Sequence, residues 1–258
     1  ATSSAEALHS ANAGNLVGFG SAPEGLENNE VVYELLADMG WTTDSIDLDS
    51  WLPVYCKARY GGCPAAMDSA WQRFKETVYS SLYSYPRFTW QTVVPDTRRI
   101  SKLDVSDSFL QGVELFLSCA DSLESSPLYV NDASYYLAAQ ADDCYKRALK
   151  EDSLGNRVAA MQQLDRSVEI LLDVDKLLAS HPLYRLEEWV DMARDWGKTD
   201  LEKDAYEANA KRLITTWGGF QEDYAARFWS GLIKDYYIPR MKLYFSEQRA
   251  DLDRWEEN

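Results

Sequence analysis

The chain has 258 residues, 46% of them hydrophobic and 26% charged, the balance of a globular protein long enough to bury a sizeable core without disulfide or metal staples. Its formal net charge of −16 at pH 7 repels phosphate backbones and anionic headgroups, and no stretch approaches the apolar length of a membrane span. Neither nucleic acid nor membrane is therefore expected as a partner. Four cysteines, Cys56, Cys63, Cys119 and Cys144, make no Cys-x-x-Cys or Cys/His grouping. No metal and no cofactor is expected, and buried thiols are favoured, with a Cys56–Cys63 bridge as the alternative.

In chain order, the first signal is the apolar run Leu16-Val17-Gly18-Phe19-Gly20, which reads as a buried strand ending in glycine. From Asn29 the period changes. Val31, Val32, Leu35, Leu36 and Met39 share one helical face, with Gly40 placed to end the helix. Further helices are predicted over 49–60, 64–80, 106–121, 128–151, 156–179, 183–196, 199–216 and 223–257, the last broken at Pro239. Each carries an apolar stripe, such as Phe109, Leu110, Val113, Phe116 and Leu117. The fold class expected is mainly α, an irregular helical bundle preceded by one strand and one helix. The long connection over 81–106 carries Tyr83, Tyr85, Phe88 and Trp90, aromatics that need burial against something.

Two constellations could carry chemistry. Ser21-Ala22-Pro23-Glu24-Gly25 puts a carboxylate at the carboxyl end of the strand, the rim where barrel enzymes keep catalytic groups, although Pro-Glu-Gly is also a common turn. Thr216-Trp217-Gly218-Gly219, followed by Asp223-Tyr224 and Trp229-Ser230-Gly231, offers aromatic platforms for a sugar ring. On composition alone, core packing is the commoner fate of such tryptophans, more so for Trp229 on its helix stripe. His9 and His181 lie far apart without triad partners, and His181-Pro182 reads as a helix-end cap. The acid pairs Asp142-Asp143 and Glu256-Glu257 read as charge on solvent faces.

The segment from Gly18 through Glu24-Gly25 to Asn29-Glu30-Val31-Val32-Tyr33 resembles a segment of the α-N-acetylglucosaminidases, glycoside hydrolase family 89. The resemblance continues through Arg59-Tyr60-Gly61, Ala70-Trp71, Val78-Tyr79, Trp189, Ala193-Arg194, Tyr206-Glu207, Asn209, Trp217-Gly218, Asp223-Tyr224-Ala225, Tyr236-Tyr237 and Pro239-Arg240. It implies a retaining exo-glycosidase that releases terminal α-linked N-acetylglucosamine from glycans, with Glu24 as nucleophile and Trp217 and Tyr224 lining the sugar pocket. It also implies that residues 1–39 close a (β/α)₈ barrel and that 40–258 form a helical C-terminal domain. The acid/base would then sit on an earlier barrel strand that this chain lacks, making the missing barrel a partner and the isolated chain inactive. Where the family carries Gly-His-Asn after the Val-Tyr pair, this chain reads Ser81-Leu82-Tyr83-Ser84-Tyr85-Pro86-Arg87. Family resemblance also implies a secreted, periplasmic or lysosomal location. The rival reading is a non-catalytic helical module that binds a glycan or a protein, with Glu24 a turn residue.

Overall fold

The computed structural model describes residues 3–21, 30–80, 88–92, 105–123, 126–217 and 226–246. Ten α-helices are present among them: α1 (Ser3–His9), α2 (Glu30–Gly40), α3 (Leu48–Tyr60), α4 (Ala65–Glu76), α5 (Asp107–Leu117), α6 (Pro127–Ser153), α7 (Arg157–Ala179), α8 (Leu186–Arg194), α9 (Asp200–Leu213) and α10 (Ile238–Tyr244). Short 3₁₀ turns cover Thr89–Gln91, Ala120–Ser122 and Pro182–Tyr184, and a π turn covers Ile233–Tyr237.

Local chemistry sets most of these boundaries. The Asp47 carboxylate accepts the Ser50 N–H at 3.0 Å and starts α3, and Gly61, at φ 81°, ends it in the left-handed conformation that glycine adopts without a Cβ clash. Ser106 and Ser126 cap α5 and α6 in the same way as Asp47. At α9 the Thr199 hydroxyl accepts from Glu202 N while the Glu202 carboxylate accepts from Thr199 N and Lys198 N, a reciprocal box that holds its carboxyl below the usual range. Pro239 has no N–H for the helix ladder, and the π turn before it absorbs the change of register into α10. Residues 226–229, expected as helix, form none.

The long α6–α7 hairpin is the spine, and α4 with α5 packs beside it. Gly112 of α5 sits so close to α4 that an added Cβ would lie 2.9 Å from the Phe74 ring. Phe74 stacks on Tyr136 of α6 with centroids 4.1 Å apart, and Phe116, Phe109 and Trp71 meet the same rings edge-on or tilted. Burying each such ring is worth about 1.5–3 kcal/mol, so this aromatic cluster contributes strongly to cohesion.

Phe88 and Trp90, placed by the sequence on a long connection, enter the core: Trp90 is fully buried, stacks on Phe88 and meets Tyr237 at 5.3 Å. Tyr83 and Tyr85 lie outside the described residues. Asp142, read as a solvent-face charge, is also fully buried. It accepts the backbone N–H groups of Thr89 and Trp90 at 2.5 and 3.3 Å, a partnership across the fold that no local period announces. Asp143 does pair at the surface, with Arg147 at 2.6 Å. Glu256-Glu257 lies outside the described residues.

The expected strand is not formed. Residues 16–21 have no regular structure, Val17 is fully exposed, and Leu16 and Phe19 are about half exposed. A strand is defined by its ladder of partners, and no neighbouring strand pairs with this run among the described residues. The Phe19 ring instead lies over Gly40 at the end of α2, where a Cβ would come within 2.6 Å of it. No helix of the described residues is long and apolar enough to cross a membrane.

Candidate functional site

Of the three residues nominated from sequence, only Trp217 is described; Glu24 and Tyr224 lie outside the described residues. The position of Trp217 is built from α8 and α9. Arg194, near the end of α8, ion-pairs with Asp204 at 2.9 Å and Glu207 at 2.5 Å on α9, and Lys211 pairs with Glu207 from the next turn. Hydrogen bonds from Lys211 and Arg194 hold the Glu207 carboxyl below the usual range. On the inner side of the hairpin the Trp189 indole N–H donates to the Ala210 carbonyl at 3.0 Å. The sequence signals at Trp189, Ala193-Arg194 and Tyr206-Glu207 thus correspond largely to struts that orient α9.

The end of α9 is unusual. The Trp217 N–H donates to the Arg212 carbonyl at 2.7 Å, closing the helix with a wide turn, and Trp217 itself sits at φ 68°. It is the one non-glycine residue at positive φ among those described. The left-handed region costs a bulky L-residue roughly 1–2 kcal/mol, a strain that a glycine would not carry. Trp217 is not a core residue, since 48% of it is exposed. A large aromatic is thus held in a strained backbone position with about half of its surface open to solvent.

Trp229 behaves as the sequence favoured. It is partly buried, packs on the core and meets Trp189 with ring centroids 6.0 Å apart. Its neighbours are pinned by Asp175 of α7, a buried carboxylate that accepts the Gly231 N–H at 2.8 Å, the Ser230 hydroxyl and the Lys234 N–H. Ser230 also bridges to Arg185 at the start of α8, its N–H donating to Tyr184 O and its carbonyl accepting from the Leu186 N–H. The chain that follows the Trp217 region is therefore anchored on the same frame as the α8–α9 hairpin.

Sequence reasoning missed a second polar assembly, between α2 and the bundle. Arg59 of α3, nearly buried, donates to both oxygens of Asp132 on α6 at 2.7 and 2.9 Å and reaches Glu34 and Glu30 of α2 at 3.5 and 3.9 Å. The Tyr60 hydroxyl donates to Asp132 at 2.6 Å, and the Asn131 amide donates to Glu30. Trp51 adds a further tie, its indole N–H donating to Asp38 of α2 at 2.7 Å. The segment that contains Glu24 runs directly into α2, so these links hold the helix that follows it. The signal was present as Arg59-Tyr60-Gly61 but carried no mechanism without the partner Asp132, 73 residues away.

His181 is a cap, as expected: its Nδ1 accepts the Leu183 N–H at the start of the Pro182–Tyr184 turn. The four cysteines are thiols.

Comparison with known proteins gives a consistent family. Residues 51–257 match the alpha-N-acetylglucosaminidase (NAGLU) C-terminal domain, and residues 1–43 match the TIM-barrel domain of the same family. The chain is similar to the alpha-N-acetylglucosaminidase of Homo sapiens, with 30% identity over 249 residues, covering 89% of this chain and 32% of that protein. It therefore spans about a third of the length of this relative. Among solved structures it is similar to a family 89 glycoside hydrolase from Clostridium perfringens in complex with 2-acetamido-1,2-dideoxynojirmycin, at 28% identity and a TM-score of 0.71, covering 87% of this chain and 28% of that one. A further structure of the C. perfringens protein, with two glutamates replaced by glutamine, is in complex with its substrate GlcNAc-alpha-1,4-galactose, with the same identity, coverage and TM-score.

Proposed function

Since the chain belongs to the alpha-N-acetylglucosaminidase family, we propose that it forms the C-terminal part of a retaining exo-glycosidase that releases terminal α-linked N-acetylglucosamine from glycans. Residues 1–39 close the catalytic barrel, and 40–258 form the helical domain that completes the sugar pocket. Glu24 is the nucleophile. Its carboxylate attacks the anomeric carbon while a second carboxylic acid, on the rest of the barrel, protonates the departing oxygen; water then releases the sugar from the glycosyl ester. That pair must stand about 5–5.5 Å apart, so the chain alone is inactive. Trp217 and Tyr224 position the sugar, the indole against the ring or its N-acetyl methyl and the phenol toward a hydroxyl.

The observation that carries this reading is Trp217, half exposed and at φ 68°, a backbone conformation that does not favour a tryptophan. The test is Trp217→Ala in the complete enzyme. Loss of a positioning surface worth about 2–4 kcal/mol of transition-state binding lowers kcat/KM by roughly 30- to 800-fold, with thermal stability nearly unchanged. A large fall in Tm with kinetics intact in the folded fraction would make Trp217 a packing residue instead.

A further inference from the structure

Two of the four thiols are neighbours. Cys56 lies in the penultimate turn of α3 and is fully buried, while Cys63 is partly exposed, just after the Gly61 reversal that ends the helix. That reversal, closed by the Gly61 N–H on the Lys57 carbonyl, folds the chain back on the last turns of α3, and Cys63 packs against the buried cluster to which Cys56 belongs, where the two thiols influence each other's charge. Gly61 and Gly62 intervene between the helix end and Cys63, giving the backbone the freedom a disulfide's narrow geometry demands. Cys119, the other thiol near this corner, is occupied differently: its Sγ donates to the Leu115 carbonyl within its own helical region at 3.3 Å.

We propose that Cys56 and Cys63 are a disulfide-forming pair, closed by exchange with a low-molecular-weight disulfide such as oxidised glutathione, and that the bridge staples the end of α3 to the loop entering α4. The partly exposed Cys63 reacts first. Its thiolate attacks one sulfur of the small disulfide, forming a mixed disulfide and expelling one small thiolate. Cys56 then attacks the Cys63 sulfur, and its proton passes to the departing group, which leaves as the second small thiol. Two protein thiols are oxidised and one small disulfide is reduced to two small thiols. Burial pushes both protein thiols above their ordinary range, so the exchange is slow near neutral pH and quickens as pH rises.

The bridge matters because the turn it fixes also carries Arg59 and Tyr60, the residues that reach Asp132 and, from Arg59, α2. Closing so short a loop constrains the unfolded chain modestly, which for a chain of this size corresponds to a rise in Tm of about 3–8 °C.

The test incubates the purified chain with oxidised glutathione at mildly alkaline pH, quenches with acid, alkylates free thiols and maps the tryptic peptides by mass. Cleavage at Lys57 and Arg59, which lie between the two cysteines, leaves two peptides joined only through the bridge. The expected result is that linked pair, with Cys119 and Cys144 alkylated and a Tm rise that a reductant reverses. Cys63→Ser should lose both the linkage and the rise, and Cys119→Ser should keep both. Recovery of Cys56 and Cys63 both alkylated after exhaustive oxidation of the folded chain would overturn the proposal. So would a Cys63–Cys119 linkage. Because the wild-type map and the Cys119→Ser variant carry the decision, poor folding of Cys63→Ser would not blur it.

Discussion

Asp132→Ala is the perturbation that most sharply probes how α2 is held. Asp132 accepts two hydrogen bonds from Arg59, at 2.7 and 2.9 Å, and one from Tyr60 at 2.6 Å, and the Arg59 and Asp132 side chains are only 4% and 8% exposed. Removing one member of a buried, hydrogen-bonded ion pair typically costs about 3–5 kcal/mol, because the remaining charge stays buried without its partner. Arg59 would keep Glu34 at 3.5 Å and Glu30 at 3.9 Å, which places the cost at the low end, about 3 kcal/mol. For a chain of this length that is a fall in Tm of roughly 6–12 °C. Urea or thermal unfolding of the purified chain measures it, and Asp132→Asn, which keeps the shape but not the charge, should lose less. A double variant replacing Arg59 and Asp132 with leucine should recover a good part of the loss. A cost below about 1 kcal/mol for Asp132→Ala would mean the pair is solvated, and the polar joint between α2 and the bundle would have to be abandoned.

Burial holds the Asp142 carboxyl up to about 6, against the pull of Lys146 and the hydrogen bonds from Trp90 and Thr89. The folded state therefore binds this proton more tightly than the unfolded chain, so the group's contribution to stability is complete below about pH 4 and is lost as pH rises through about 6. Wild type should lose up to roughly 3 kcal/mol relative to Asp142→Asn between pH 4 and pH 7; parallel stability profiles for the two proteins would show that Asp142 does not titrate in that window. Trp90→Ala removes a fully buried ring that meets Phe88 and Tyr237 and should cost about 3–5 kcal/mol of folding stability by denaturant titration, whereas a cost within 0.5 kcal/mol would place that segment outside the core.

The helices were legible where the chemistry is local. Asp47, Ser106, Ser126 and the Thr199–Glu202 box announce helix starts, and the stripe through Phe109, Val113 and Phe116 announces the buried face of α5. What escaped is non-local. The Leu16–Gly20 run has a strand's composition, yet strand structure depends on a neighbour that sequence pattern does not supply. Asp142 looked like a surface charge because the groups that satisfy it, at Thr89 and Trp90, lie more than 50 residues upstream. Helix α1 was missed because Ser3–His9 is too short for a periodic stripe to stand out. For the site, residue types alone favoured core packing for Trp217 and the family resemblance singled it out, but neither gave its geometry, since a positive φ at a tryptophan runs against local preference.

The most direct test of the functional account is Glu24→Gln in the complete enzyme, assayed on an aryl α-N-acetylglucosaminide. The amide is nearly isosteric with the carboxylate but cannot form the glycosyl ester, so the account predicts an intact fold by circular dichroism and a fall in turnover of several orders of magnitude. Near-normal turnover by Glu24→Gln would contradict it and remove Glu24 from the chemistry.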